Sequence, residues 1–126
     1  MSKFTEKVIE ITRSIPKGKV INYGQIAIMA GSPRAAIQVG WVLHSSGDDG
    51  ITPWWRVINK DGYISTKCPE HNKNIQKKLL EKDGVEVDQN LRVDIKKYRW
   101  IPDDKTLTKL GLQERYLALL LDKFGI

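Results

Sequence analysis

The sequence predicts a mixed α/β fold, mostly helical, with a helix-turn-helix and short hairpins. Apolar residues recur at helical spacing in successive segments, two of those segments meet at a glycine-containing turn, and alternating apolar pairs flank tight turns farther along. Over residues 3–14, Phe4, Val8, Ile9 and Ile11 share one face; Ser2 or Thr5 caps the start, and Pro16 and Gly18 stop the helix. Lys17-Gly18-Lys19 is a basic turn into Val20-Ile21-Asn22. Residues 23–30 read as a second helix with Ile26, Ala27 and Ala30 inward and Gly31 as its stop. Ser32-Pro33 opens a third, with Ser32 as N-cap and Pro33 in the first turn, running through Val39, Gly40 and Leu43 to His44.

Two short helices joined in this way form a helix-turn-helix, whose second helix enters a DNA groove with its N-terminal residues foremost. The small residues Ala35, Ala36 and Gly40 permit close approach to a phosphate backbone or to another helix, and plain helix packing explains them as well. Residues 45–50 make a polar loop, and Pro53-Trp54-Trp55-Arg56-Val57-Ile58 reads as a strand or extended turn. Asn59-Lys60-Asp61-Gly62 turns the chain so that Tyr63-Ile64-Ser65 returns as a hairpin. Residues 71–83 form a basic amphipathic helix ended by Gly84, with Lys73, Lys77 and Lys78 as a solvated face or a phosphate track. Val85-Glu86-Val87 and Leu91-Arg92-Val93 alternate around Asp88-Gln89-Asn90. The expected organisation is one domain over residues 1–102 and a leucine-rich helical extension over 103–126, whose stripe of Leu110, Tyr116, Leu117, Leu120, Leu121 and Phe124 docks on the domain or on a partner.

A chain of 126 residues with 40% hydrophobic content supports one modest core. It has no apolar run long enough to span a bilayer, and its first residues lack the apolar centre of a secretory signal. One cysteine, Cys68, excludes an internal disulfide, and His44 and His71 lack metal-ligand spacing, so neither metal nor cofactor is expected. The net charge of +6 favours a polyanionic partner without naming one. A monomer in the cytoplasm at the nucleoid, or in the nucleus of a eukaryote, is the expectation.

Four segments in register resemble the C-terminal DNA-binding domain of the O6-alkylguanine-DNA alkyltransferases, over roughly residues 4–101. They are Ile15-Pro16-Lys17-Gly18-Lys19-Val20 with Tyr23-Gly24-Gln25-Ile26-Ala27; Ser32-Pro33-Arg34-Ala35-Ala36 with Val39-Gly40; Pro53-Trp54-Trp55-Arg56-Val57-Ile58-Asn59 with Gly62; and Leu79-Leu80-Glu81-Lys82-Asp83-Gly84-Val85. The resemblance implies a winged-helix-like domain whose second motif helix enters the minor groove. In the active enzymes the third motif reads Pro-Cys-His-Arg-Val; the cysteine takes the alkyl group and the histidine links it to a buried acid. A thiolate nucleophile needs such a base beside it. Trp54 stands at the cysteine position here, so the resemblance is to the non-catalytic alkyltransferase-like proteins, which bind alkylated DNA and hand it to nucleotide excision repair.

Two further departures matter. Trp55 replaces the histidine, so the acid at the family position, Asp83, must be exposed, protonated or re-paired. Ile37 stands where the family's arginine fills the gap left by the rotated nucleotide; isoleucine can wedge between bases but cannot hydrogen-bond to the orphaned one. The resemblance implies a lesion pocket formed by Trp54, Pro53, Arg56, Val57, the Tyr63-Ile64-Ser65 segment and Tyr23, which also pushes the phosphate. It implies DNA contacts from Tyr23, Gly24 and Gln25 and from Ser32, Pro33, Arg34, Ala35, Ala36, Ile37, Gln38, Gly40 and Trp41. In an extended segment Trp54 and Trp55 point to opposite sides, which places Trp54 in the pocket and Trp55 inward against the Asp83 helix. Arg56 is expected to hold the loop through carbonyls. The expected partner is double-stranded DNA containing alkylated guanine, with excision-repair proteins following. Two rivals stand beside this: a general DNA-binding regulator that has lost lesion recognition, and an enzyme using Cys68 as the acceptor.

Overall fold

The computed structural model describes residues 2–46, 49–64 and 73–111. It begins with helix α1 (Lys3–Ser14), where the Ser2 hydroxyl accepts the Thr5 N–H at 3.1 Å as the N-cap. The chain then passes through β1 (Ile21–Asn22) into α2 (Tyr23–Met29), whose N-cap is Asn22. Helix α3 (Ala36–Ser46) follows, then a 3₁₀ turn (Trp54–Arg56) and β2 (Val57–Ile58). Helices α4 (Lys73–Lys82), α5 (Ile95–Tyr98) and α6 (Asp104–Lys109) complete the described elements.

Strands β1 and β2 pair in parallel, Ile21 beside Val57 and Asn22 beside Ile58. Strand period two sends neighbours to opposite sides. Ile21 and Val57 enter a core built from α1, α2 and α3, with Val8, Ile11, Ile26, Met29 and Val39 at its centre. Val20 and Ile58 enter a second core with Ile64, Leu80, Val85 and Val93. The two-residue pair is thus the partition between a helical half and a hairpin half, and the 3₁₀ turn leads directly into its second strand.

The third helix starts later than expected. Gly31, in the left-handed region at φ +85°, donates to the Ile28 carbonyl at 3.0 Å, and Ser32 N–H donates to Ala27 at 2.9 Å. That pair of bonds closes α2 as a Schellman motif. Ala35 N–H then donates to the Ser32 carbonyl at 2.9 Å, so residues 32–35 form a turn and α3 begins at Ala36. Ser32 therefore ends one helix rather than capping the next.

The expected Asn59–Gly62 turn is present: Gly62 donates to Asn59 at 3.0 Å and Asn59 donates to the Tyr63 carbonyl at 3.1 Å. Tyr63 then pairs antiparallel with Arg92, and Val87 with Val93, so the two hairpin segments lie together. Gly62 has φ +91°, and a Cβ there would lie 2.3 Å from the Val93 carbonyl oxygen, so only glycine fits. Asp103 caps α6 by accepting the Thr106 N–H at 2.8 Å, and Leu110 joins the core beside α1. The remainder of the leucine-rich segment, including Tyr116, Leu117, Leu120, Leu121 and Phe124, lies outside the described residues, as do Ser65, Cys68 and His71. Among the described residues no helix is long and apolar enough to cross a membrane.

Candidate nucleic-acid interface

Helix α3 turns Val39, Val42 and Leu43 into the core and presents Ile37, Gln38, Trp41, His44 and Ser45 outward. Ile37 is 69% exposed and Trp41 65%, both on a face that in a plain surface helix would be polar. Pro33 and Arg34 are exposed on the preceding turn, while Ser32, Ala35 and Ala36 are half-buried. Gly40 faces the ring of Tyr23: a Cβ at Gly40 would sit 3.9 Å from the Tyr23 Cε1, ordinary contact. Tyr23, half-buried at the first position of α2, packs against the helical core, with Gly24 half-buried beside it.

Gln25 departs from expectation. Asn22 Oδ1 accepts the Gln25 N–H at 2.8 Å and Gln25 Oε1 accepts the Asn22 N–H at 3.5 Å, a reciprocal capping box. Its Nε2 donates to the Trp100 carbonyl at 3.4 Å, and the side chain is fully buried. Gln25 cannot reach DNA; it fixes the start of α2 and so the seat of Tyr23.

Farther along the chain, Pro53 is buried and the segment from Trp54 to Arg56 winds as a 3₁₀ turn instead of extending. Such a turn advances about 120° per residue where a strand advances about 180°. Trp54 and Trp55 are therefore neighbours, not opposites: their rings meet edge to face with centroids 6.1 Å apart and planes at 87°. Trp55 nevertheless faces inward, against the second core and the end of α4.

Four side chains hold that turn. Trp55 Nε1 donates to Asp83 Oδ2 at 2.9 Å, and Arg56 donates through Nε to Oδ2 at 2.7 Å and through Nη2 to Oδ1 at 3.2 Å. Arg56 Nη1 donates to the Ile15 carbonyl at 2.9 Å, tying the turn to the end of α1. Gln76 Nε2 donates to the carbonyls of Trp55 and Val57 at 3.1 and 3.0 Å, from α4. Asp83 is thus paired: the Trp55 indole N–H donates to it, and the Arg56 guanidinium supplies both bonds and charge. Burial pushes the Asp83 carboxyl upward, but the bonds from Arg56 and Trp55 and the charges of Arg56 and Lys17 outweigh it. Its pKa lies below the usual carboxylate value.

The loop before the turn is anchored separately. Asp49 accepts the N–H groups of Ile51 and Thr52 at 2.9 and 2.7 Å, and Arg13 bridges from α1 to Asp49 at 2.7 Å and to the Thr52 hydroxyl at 3.1 Å. The Thr52 N–H, the Arg13 bond and the Ile51 N–H hold the Asp49 carboxyl far below the usual range. Neither Gln76 nor this Arg13–Asp49 tie was expected. Gln76 had a readable signal, an uncharged polar residue four places before, and so on the same face as, the inward Leu80. Asp49 had one too, an aspartate preceding Thr52 at turn spacing.

Two expected pocket residues point elsewhere. Val57 and Ile64 are buried in the first and second cores respectively, so they shape the backbone of the site and offer no side-chain surface. Tyr63 remains available at 41% exposure, with the Arg92 guanidinium 5.5 Å over its ring and Arg92 Nε donating to the Asp61 carbonyl at 2.9 Å. The arrangement offers aromatic and apolar surface beside exposed basic groups, and at Trp54 an indole whose nitrogen lone pair belongs to the ring and cannot attack an alkyl carbon.

Residues 3–85 match the family described as the 6-O-methylguanine DNA methyltransferase DNA-binding domain. The DNA base-flipping protein of Escherichia coli K12 is 41% identical over 97 residues, covering 77% of this chain and 74% of its own. Alkyltransferase-like protein 1 of Schizosaccharomyces pombe is 37% identical over 106 residues, covering 81% of this chain and 98% of its own. The crystal structure of S. pombe Atl1 in complex with damaged DNA containing O6-carboxymethylguanine superposes with a TM-score of 0.75 at 37% identity, over 81% of this chain and 98% of that one. The motifs, the helical half with its short parallel pair and these likenesses agree: the chain belongs to the 6-O-methylguanine DNA methyltransferase DNA-binding-domain family.

Proposed function

We propose that the chain binds duplex DNA carrying O6-alkylated guanine, takes the altered base against Trp54, and leaves the alkyl group in place. Trp54 is the observation that carries this reading. It stands on a turn fixed by Asp83, Arg56 and Gln76, at the position where the family's active members carry their acceptor cysteine. An indole face stacks on a base at about 1–3 kcal/mol but offers no nucleophile. The relatives support the same direction, one named a base-flipping protein and another crystallised with damaged DNA.

In this mechanism Arg34 and the exposed turn around Pro33 meet the phosphates and set register, which is what backbone contacts do. Helix α3 lies in the minor groove. Tyr23, braced on Gly40 and the helical core, bears on the phosphate of the lesion as its nucleotide rotates outward. The base then comes to rest between Trp54 and Tyr63. Because no covalent step follows, the complex persists as a mark on the DNA that nucleotide excision repair proteins read. The protein acts as one copy, at the nucleoid or in a nucleus.

A general DNA-binding regulator is the second reading, favoured by Ile37, which brings no hydrogen-bonding group to the base stack. The test uses a duplex whose O6-methylguanine carries a labelled methyl group. The proposal requires tight complex formation with all label remaining on DNA; label appearing on the protein, and absent with Cys68→Ala, would establish an alkyltransferase instead.

A further inference from the structure

The end of α1 is bonded to the chain on both sides of Trp54. Before it, Arg13 donates through Nη2 to Asp49 Oδ2 at 2.7 Å and through Nε to the Thr52 hydroxyl at 3.1 Å. After it, the Ile15 carbonyl accepts Arg56 Nη1 at 2.9 Å. Asp49 gathers the loop around the first of these contacts. Its Oδ1 accepts the N–H groups of Ile51 and Thr52 at 2.9 and 2.7 Å, and its Oδ2 accepts the Thr52 hydroxyl at 2.9 Å. Thr52 is buried, so its hydroxyl is satisfied here both as donor and as acceptor. The Thr52 carbonyl in turn accepts the Trp54 N–H at 2.9 Å. An unbroken run of bonds therefore leads from Arg13 through Asp49 and Thr52 to the backbone of Trp54. Apolar packing does not set this loop at Ile51, which is 70% exposed.

We propose that Arg13 and Asp49 are positioning residues of the lesion site: tied to each other and to Thr52, they hold Trp54 where the altered base stacks, and so set the preference for alkylated over unmodified duplex. The inference rests on the lesion-binding reading above and adds the residues that preset its pocket. As a stability device the pair is weak, because the Arg13 and Asp49 side chains are 45% and 30% exposed and ion pairs open to water contribute little. Its geometry fixes a position instead. A pocket ordered before binding spares the complex the cost of ordering it. In the lesion-binding reading α3 meets the duplex through its own outward face, so plain docking does not need the tie. Without the tie the loop samples other positions, and lesion affinity falls in proportion to the time the pocket is formed.

The experiment compares the full chain as wild type, Arg13→Ala and Asp49→Asn on matched duplexes with guanine or O6-methylguanine, over a range of salt. Asp49→Asn keeps an Oδ1 for the Ile51 and Thr52 N–H groups and gives up the charge that Arg13 meets. Both variants should melt within about 3 °C of wild type. Each should lose about tenfold in affinity for the alkylated duplex, yet bind the unmodified one within about twofold and with the wild-type salt slope. Fluorine NMR of the free, fluorotryptophan-labelled protein, with Trp54 assigned through Trp54→Phe, reads the position directly. The Trp54 signal should shift in both variants while that of the buried Trp100 stays in place. An unchanged lesion preference in either variant overturns the proposal, as does an unshifted Trp54 signal. Equal losses on both duplexes overturn it too, and with a reduced salt slope they make Arg13 a phosphate contact. Equal wild-type affinity for the two duplexes is a different result: it removes the lesion-binding reading itself, and the fluorine signal of the free protein still decides whether the tie places Trp54.

Discussion

Replacing Asp83 with alanine removes the centre of the clamp under Trp54. Its side chain is 7% exposed and that of Arg56 14%, so the pair is largely withdrawn from water. The carboxylate accepts two bonds from the guanidinium and one from the Trp55 indole. Deleting one partner of a buried pair costs about 3–5 kcal/mol because the other charge is left uncompensated. Arg56 keeps the Ile15 carbonyl at 2.9 Å, which favours the lower end, about 3 kcal/mol. For a domain of this size that corresponds to a fall in Tm of roughly 10 °C. Calorimetry at neutral pH measures it directly.

The same variant carries a pH signature. Asp83 has a depressed pKa in the folded chain, so its contribution is fully present above the unfolded value of about 3.9. It is lost as pH falls through the folded value below that. The Tm difference between wild type and Asp83→Ala should hold from neutrality down to about pH 4 and narrow below it. A Tm change of under about 2 °C at neutral pH, or a difference that stays constant into acid, would refute the clamp.

Gly62→Ala meets the Val93 carbonyl oxygen at 2.3 Å in a left-handed backbone and should lower stability by about 2 kcal/mol or more, read by denaturant midpoint. Gln25→Ala removes the capping box and leaves buried space. It should cost about 1–2 kcal/mol by the same assay while leaving the salt slope of DNA binding unchanged. A reduced slope would return Gln25 to the phosphate contacts.

The parts legible from the sequence were those with local causes. The cap at Ser2, the stop at Gly31 and the tight Asn59–Gly62 turn all follow from residue type and short-range spacing, whereas Trp55 faces inward although the extended geometry that predicts it is absent. The start of α3 was misplaced because Ser32-Pro33 carries the chemistry of an N-cap, while the Ser32 N–H is already used to close α2. The parallel pairing of Ile21 with Val57 joins segments far apart in the chain, and no local pattern announces it. That pairing also explains why Val57 is lost to the core. Gln25 was misassigned to DNA although Asn22-x-x-Gln25 is itself a capping-box pattern.

Competitive binding of wild type and Trp54→Ala to matched duplexes with guanine or O6-methylguanine, at fixed salt, tests the central claim most directly. The account predicts tighter wild-type binding to the alkylated duplex, and a preference in Trp54→Ala reduced by about tenfold, the worth of one stacked aromatic face. Equal affinity of wild type for the two duplexes would contradict it, and would leave a protein that docks α3 on DNA without reading the lesion.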